Sequence, residues 1–157
     1  MVANIKDKAV IVGVGNTKFS KDSGVSELSL AVQAIKTALD DAGLQPSDVD
    51  GMATFTMDSN DEIEVARALG CGGLNFWGRS HYGGGAATGT LHQATMAIAT
   101  GMAEVVVCFR ALNGRSGHRF SSGVSGEITT ADAIHWGWYM PYGLLTPASW
   151  VAMFTQR

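Results

Sequence analysis

Short apolar segments alternate along the chain with longer stretches of helical spacing. Four segments predict strands, at residues 9–15, 52–56, 74–80 and 103–109. The stretches between them predict helices at 27–42, 61–69 and 86–101. This alternation is typical of a parallel α/β sheet that carries helices on both faces.

The first helix is predicted with both of its ends. Ser26 is the expected N-cap, and Gly43 supplies the C-terminal stop. Thr146 and Pro147 predict the start of a final helix in the same way, since proline suits the first helical position. The first helix is assigned to the scaffold, without a role in chemistry.

The first predicted strand ends in Gly13-x-Gly15, which invites a dinucleotide-binding interpretation. That fingerprint requires a third glycine three residues later, where Lys18 stands, and a helix that begins at once. A polar loop follows instead. The pattern therefore favours a simple turn at the end of a strand.

Residues 77–101 form the first candidate site. The helix predicted from residue 86 consists mostly of Ala, Thr, Gly and Met and offers no polar face, so it is expected to be buried. Gly83, Gly84 and Gly85 precede it and permit close approach of a ligand. The positive end of the helix dipole suits a thioester oxygen, an oxyanion or a phosphate.

His81 and Tyr82 flank this helix start and are the candidate catalytic residues, as base or hydrogen-bond donor. The alternative is that both are structural residues at a crowded strand end. His92 lies in the middle of the helix and is interpreted as a core or interface histidine.

Composition narrows the class of protein. The chain has 157 residues, 46% of them hydrophobic and 16% charged, which fits a globular domain that hides one face. A net charge of −3 without a basic run argues against nucleic-acid binding. No apolar segment reaches the roughly 18 residues that suggest a membrane span. Cys71 and Cys108 lack metal-ligand spacing, and a cytoplasmic location is expected.

Four acidic residues cluster after the second predicted strand: Asp58, Asp61, Glu62 and Glu64. Carboxylates of this kind can bind a divalent cation, but their spacing matches no known loop. Helix N-termini also attract acids, and a solvated helix start is the favoured interpretation.

Several motifs together resemble one family. Residues 11–19 (IVGVGNTKF) look like the opening strand of the sterol-carrier-type thiolases and their lipid-transfer relatives. Residues 38–51 resemble the first helix and second strand of that family. Residues 83–107 match its buried helix and following strand, and residues 144–154 are similar to the start of a later helix in its loop domain.

The resemblance implies a two-repeat, five-layered αβαβα fold that acts on acyl-CoA thioesters. Residues 1–111 are expected to form the N-terminal α/β repeat, with a mostly parallel sheet. Residues 112–157 are expected to begin the loop or substrate-binding region. Since the final helix reaches Arg157 without a returning strand, the chain is expected to be truncated.

True thiolases carry a nucleophilic cysteine at the start of the buried helix. Residues 81–85 contain none, which resembles the cysteine-less aldolases of steroid side-chain breakdown. Residues 110–117 resemble the same subgroup. The expected reaction is retro-aldol cleavage of a β-hydroxyacyl-CoA. A degradative thiolase (acetyl-CoA acyltransferase) and a non-catalytic lipid or acyl-CoA binding module remain alternatives.

The region after residue 112 is polar, rich in glycine and basic. Arg115, His118 and Arg119 are candidate ligands for the phosphates of coenzyme A, and the alternative is a solvated loop. An aromatic cluster at residues 134–145 suits a sterol-sized pocket, a core or a dimer interface.

The resemblance also implies partners. It predicts a homodimer, and a partner protein with an OB-fold and a zinc ribbon. No cofactor is expected beyond coenzyme A as part of the substrate.

Overall fold

The computed structural model describes residues 5–55, 60–80, 86–115, 138–144 and 146–156. The chain divides into two compact units, Met1–Asn113 and Gly114–Arg157. The predicted assignment of the second part to a loop or substrate-binding region stays a prediction.

The first unit alternates helices and strands. The helices are α1 (Glu27–Ala42), α2 (Glu62–Leu69) and α3 (Ala86–Ala99), and the strands are β1 (Gly51–Phe55), β2 (Phe76–Ser80) and β3 (Val106–Cys108). The strands form a parallel sheet in the order β2-β1-β3, in which Ala53 pairs with Gly78 and with Cys108. The predicted parallel α/β sheet is therefore confirmed.

Helix α1 forms as its sequence predicts. The Ser26 hydroxyl accepts a hydrogen bond from the Ser29 amide at 3.2 Å, which satisfies one of the free donors of the first turn. Gly43 ends the helix in the left-handed conformation, with a φ of 70° that other residues rarely adopt. Three apolar residues of its inner face are buried: Ala31, Ile35 and Leu39.

The core lies between β1 and the pair α1 and α2. All five residues of β1 are buried. Met52 packs into one hydrophobic cluster with residues of both helices, among them Ile35 and Val65. Helix α3 contacts all three strands, and its buried residues Ala94 and Ala97 lie outside that cluster. The sheet is thus covered on both faces, as the sequence predicts.

The predicted strand at residues 9–15 is wrong. This segment forms no strand among the described residues, and its Val and Ile side chains are largely exposed, with Val10 at 78%. It lies instead against α1, where a side chain on Gly13 or Gly15 would overlap the helix backbone. The Val14 amide donates to the Asp41 carboxylate at 2.9 Å. The two glycines therefore permit close packing on a helix.

Helix α3 is only partly buried, although its composition predicted a helix buried on every side. Thr90, Ala94 and Ala97 face the sheet and are buried, but Leu91 and Met96 are 44% and 43% exposed. His92 is also exposed, which contradicts a core position, and its alternative interpretation as an interface histidine stays a prediction. The sheet covers one side of the helix only, which leaves an apolar face open within this unit.

The second unit contains a further helix, α4 (Pro147–Thr155). Its predicted N-cap is confirmed, because the Thr146 hydroxyl accepts a hydrogen bond from the Ser149 amide at 3.3 Å. The rings of Tyr139 and Trp150 meet edge to face with their centroids 4.1 Å apart. Trp136, part of the predicted aromatic cluster, lies outside the described residues. None of the described helices is long and apolar enough to cross a membrane.

Candidate functional site

The carboxyl ends of the three strands define one edge of the sheet. Because the strands are parallel, Phe55, Ser80 and Cys108 end at this same edge. Ligands of open parallel α/β sheets bind outside the carboxyl ends of the strands. This edge is therefore the candidate site of the unit.

Most of the predicted site residues lie outside the described residues. These are His81, Tyr82, Gly83, Gly84, Gly85, His118 and Arg119. Arg115 is described and exposed, in the second unit. Their roles stay predictions, but β2 does end at Ser80 and α3 does begin at Ala86. The five residues 81–85 thus connect a strand end at this edge with a helix start, as predicted.

Ser80 brings the end of β2 against the first turns of α3. The residue is only 6% exposed, and a side chain on Gly89 would approach the Ser80 Oγ to 3.1 Å. The hydroxyl has no hydrogen-bond partner among the described residues. A buried hydroxyl without a partner is costly and is uncommon in folded proteins. Glycine at position 89 is what permits this close approach.

An ion pair near this edge joins β2 to the start of α2. The sequence pattern did not predict it. The Arg79 guanidinium contacts the Asp61 carboxylate at 2.8 Å and the Glu62 carboxylate at 3.1 Å. Burial alone would lower the pKa of Arg79, but the hydrogen bonds to Glu62 and Asp61 outweigh it and raise the pKa. The pair ties the start of α2 to β2.

This ion pair also decides how the acidic cluster is interpreted. Asp61 and Glu62 stand at the start of α2, where Arg79 balances their charge, which supports the predicted helix start. Asp58 lies outside the described residues. The described part of the chain holds no group of three or more metal-ligating side chains. No sequence signal places Arg79 here, because it follows its partners by 17 and 18 residues.

Neither cysteine lies in an environment that favours the nucleophilic thiolate. Cys108 lies in β3, where its thiol donates to the Thr90 carbonyl oxygen at 3.6 Å. Burial raises the pKa of the Cys108 thiol and also that of Cys71. Since the thiolate is the reactive form, both residues are poor nucleophiles at neutral pH. This chemistry agrees with the absence of a cysteine in residues 81–85.

Two curated proteins are close relatives in sequence. The chain is 57% identical over 151 residues to a steroid side-chain-cleaving aldolase of Thermomonospora curvata, covering 95% of this chain and 39% of the relative. It is 53% identical over 155 residues to the 17-hydroxy-3-oxo-4-pregnene-20-carboxyl-CoA lyase of Mycobacterium tuberculosis, covering 98% and 40%. The chain thus spans about two fifths of the length of these relatives. No protein-family model matches it.

Two solved structures resemble this fold. The Ltp2–ChsH2(DUF35) aldolase superposes with a TM-score of 0.76 at 56% identity, over 94% of this chain and 36% of the other. A monomeric SCP2-thiolase-like protein of type 1 from Mycobacterium smegmatis gives 0.53 at 29% identity, over 62% and 22%. The predicted thiolase-like fold is confirmed.

In fold the chain therefore resembles the SCP2-thiolase-like proteins of the thiolase superfamily. In sequence it is a homologue of the steroid side-chain-cleaving aldolases, as its resemblance predicted.

Proposed function

We propose that the complete protein to which this chain belongs cleaves the side chain of a steroid β-hydroxyacyl-CoA by a retro-aldol reaction. The reaction releases a ketone and a shorter acyl-CoA. The observation that carries the proposal is the 57% identity to a steroid side-chain-cleaving aldolase over 95% of this chain. The second relative, an acyl-CoA lyase, supports the same substrate class.

The chemistry of the reaction fits the described thiols. Retro-aldol cleavage needs a base for the substrate hydroxyl and stabilisation of the thioester enolate that leaves. It needs no covalent nucleophile. The raised pKa values of the Cys71 and Cys108 thiols are therefore compatible with this chemistry.

We assign the predicted roles around the β2–α3 connection within this proposal. His81 and Tyr82 are the candidates for base or hydrogen-bond donor, and the glycines 83–85 for backbone groups that face the thioester. Support comes from the elements on either side, since β2 ends and α3 begins at the carboxyl edge of the sheet. Coenzyme A is part of the substrate, and no further cofactor is proposed.

The degradative thiolase is the second candidate. Its acyl transfer passes through a cysteine thiolate, which requires a lowered thiol pKa. Burial acts in the opposite direction on both Cys71 and Cys108, which disfavours acyl transfer through either of them. A non-catalytic acyl-CoA binding module would bind the substrate without turnover.

Cysteine alkylation distinguishes these candidates. We expect the complete protein to release a ketone from a steroid β-hydroxyacyl-CoA, and to keep this activity after treatment with iodoacetamide. The physical reason is that the proposed chemistry needs no thiolate and that burial raises the pKa of both described thiols. Ketone release is measured by chromatography with mass detection.

Cys71→Ser and Cys108→Ser are the matched controls, and both should retain turnover. Complete inactivation by iodoacetamide, together with loss of turnover in Cys71→Ser or Cys108→Ser, would instead point to an essential thiol. Binding of the substrate without any ketone release would favour the binding module.

A homodimer is proposed through the outer edge of β2. Among the described residues β2 pairs on one side only, with β1. Trp77 is 67% exposed, and a cavity of about 360 Å³ beside it is lined by Gln93, Met96 and Met102 with other mostly apolar residues. Natural proteins usually protect a free strand edge with charge or proline. Arg79, the charged residue of β2, is already paired with acids of α2.

Trp77→Asp is expected to weaken this dimer, because a carboxylate would be buried in an apolar contact. Analytical ultracentrifugation of the complete protein should show a dimer for the wild type and a shift toward monomer for the variant. Ile63→Asp is the control, since Ile63 is also exposed, at 58%, but lies on α2. A monomeric wild-type protein, as in the SCP2-thiolase-like relative, would contradict the proposal.

A partner protein is also proposed. One structural relative is an aldolase complex of Ltp2 with ChsH2(DUF35). By its homology the complete protein is proposed to bind a second protein of that kind, with the predicted OB-fold and zinc ribbon. A cytoplasmic location is proposed from the two free cysteines, since disulfides are rare there.

A further inference from the structure

Arg110 lies at the carboxyl edge of the sheet, where a contact with an aromatic ring orients its side chain. It follows β3 by two residues, and its guanidinium carbon lies 5.2 Å from the centre of the Phe55 ring. Phe55 is the last residue of β1 and is only 5% exposed, so the ring is held in the core. A cation over an aromatic face is attracted by the ring electrons. The contact orients the guanidinium without using its N–H donors.

The backbone around Arg110 is fixed on both sides. Its neighbours Phe109 and Ala111 are 8% and 6% exposed, whereas Arg110 itself is exposed. The Phe109 amide donates to the Ala53 carbonyl oxygen at 3.1 Å, and the Thr54 hydroxyl donates to the Phe109 carbonyl oxygen at 3.2 Å. These contacts keep the Arg110 side chain at the edge.

Asn113 anchors the segment three residues further on. Its side-chain amide donates to the Val25 carbonyl oxygen, and its backbone amide donates to the Glu27 carboxylate, both at 2.8 Å. The segment from β3 to Asn113 is thus attached to the start of α1. Arg110 stands between two anchored points.

The charge of Arg110 is not balanced by an acid among the described residues. Arg79, the other arginine at this edge, is already bound to Asp61 and Glu62. Arg110 has no ion pair and no hydrogen bond of its guanidinium in the described part of the chain. Within the described residues its five N–H donors are therefore unused and could bind a ligand.

We infer that Arg110 binds a phosphate group of the acyl-CoA substrate. A planar guanidinium matches phosphate oxygens in a two-pronged geometry, and such charge-assisted hydrogen bonds are among the stronger ones. The position suits this role, because it lies at the ligand-binding edge of the sheet. The inference rests on the proposed acyl-CoA function and names a binding residue for it.

The test compares two substrates of the complete protein. One is a steroid β-hydroxyacyl-CoA, and the other is the same acyl group on pantetheine, which carries no phosphate. Arg110→Met keeps an unbranched apolar side chain next to Phe55 while the charge is lost. We expect KM for the CoA thioester to rise by about tenfold to a hundredfold, with kcat little changed and KM for the pantetheine thioester unaltered.

Arg67→Met is the matched control, since Arg67 is an exposed arginine of α2 and does not stand at a strand end of the candidate site. It should leave both KM values as in the wild type, and Arg110→Lys should recover part of the binding. Equal KM changes for both substrates in Arg110→Met, or no change for either, would overturn the inference.

Coenzyme A binding separates this inference from the proposed function. If the wild type cleaves neither substrate, the proposed function fails. Calorimetry with coenzyme A alone then still decides the role of Arg110. A tenfold or greater loss of affinity in Arg110→Met supports the inference, and equal affinity of variant and wild type contradicts it.

Discussion

Gly15→Ala is expected to lower the free energy of unfolding by about 3 kcal/mol, because the added methyl group has no room. At this position it would overlap the Ala34 carbonyl oxygen and the Ala38 amide nitrogen of α1. Backbone atoms inside a helix cannot move aside as a flexible side chain can. The segment around residue 15 would have to move away from α1. Urea unfolding, followed by circular dichroism, measures the change.

Gly72→Ala is the matched control for this substitution. A methyl group there meets no other described atom within 4 Å, and Gly72 does not have a positive φ. The control should therefore unfold at the urea concentration of the wild type or slightly above it. Equal stability of Gly15→Ala and Gly72→Ala would show that residues 13–15 do not pack on α1.

Asp50→Ala is expected to cost about 2–4 kcal/mol of stability, because it removes one carboxylate that holds three segments together. The Asp50 carboxylate accepts hydrogen bonds from the amides of Glu104 and Val105 at 2.9–3.0 Å. It also accepts one from the Asn75 side chain at 3.4 Å. Without it, two backbone donors at the entrance to β3 lose their acceptor. Urea unfolding again provides the measurement.

Asp40→Ala controls for the loss of a negative charge. Asp40 is exposed in α1, and its carboxylate makes no hydrogen bond among the described residues. Its removal near the helix C-terminus should leave stability unchanged or slightly higher. Asp50→Asn keeps one acceptor oxygen and should fall between the wild type and Asp50→Ala. A stable Asp50→Ala protein would mean that the carboxylate does not connect β1 with β3.

Local signals in the sequence predicted much of the fold. The caps of α1 at Ser26 and Gly43 are chemical properties of single residues, and both are confirmed. The apolar segments that became β1 and β3 were placed within a few residues of their observed bounds. The alternation of elements was enough to predict a parallel sheet.

The prediction of a strand at residues 9–15 was wrong because a strand must pair with a neighbouring strand. The sequence of the segment itself does not specify that neighbour. Its β-branched residues are typical of a strand, yet among the described residues it packs against α1. The spacing of Gly13 and Gly15, two residues apart, was the available signal. Ala34 and Ala38, small residues at helical spacing, offered the complementary surface on α1.

The sequence likewise predicted the place of the candidate site but not all of its contacts. The place of the site, between the end of β2 and the start of α3, followed from the glycines and from the family resemblance. The contacts of Arg79 with α2 and of Arg110 with Phe55 did not follow, because each joins residues that are distant in sequence. The packing of the strands and of α2 in the folded unit brings these side chains together. The roles of His81 and Tyr82 stay predictions.

The central position of β1 in the sheet also has a consequence for folding during synthesis. β1 ends at Phe55, but its second neighbour, β3, ends only at Cys108. The backbone amides that donate to the Asp50 carboxylate likewise lie 54 and 55 residues later in the chain. Contacts at such separation are slow to form, and domains fold as units while the chain leaves the ribosome. More than a hundred residues must therefore emerge before this sheet can close.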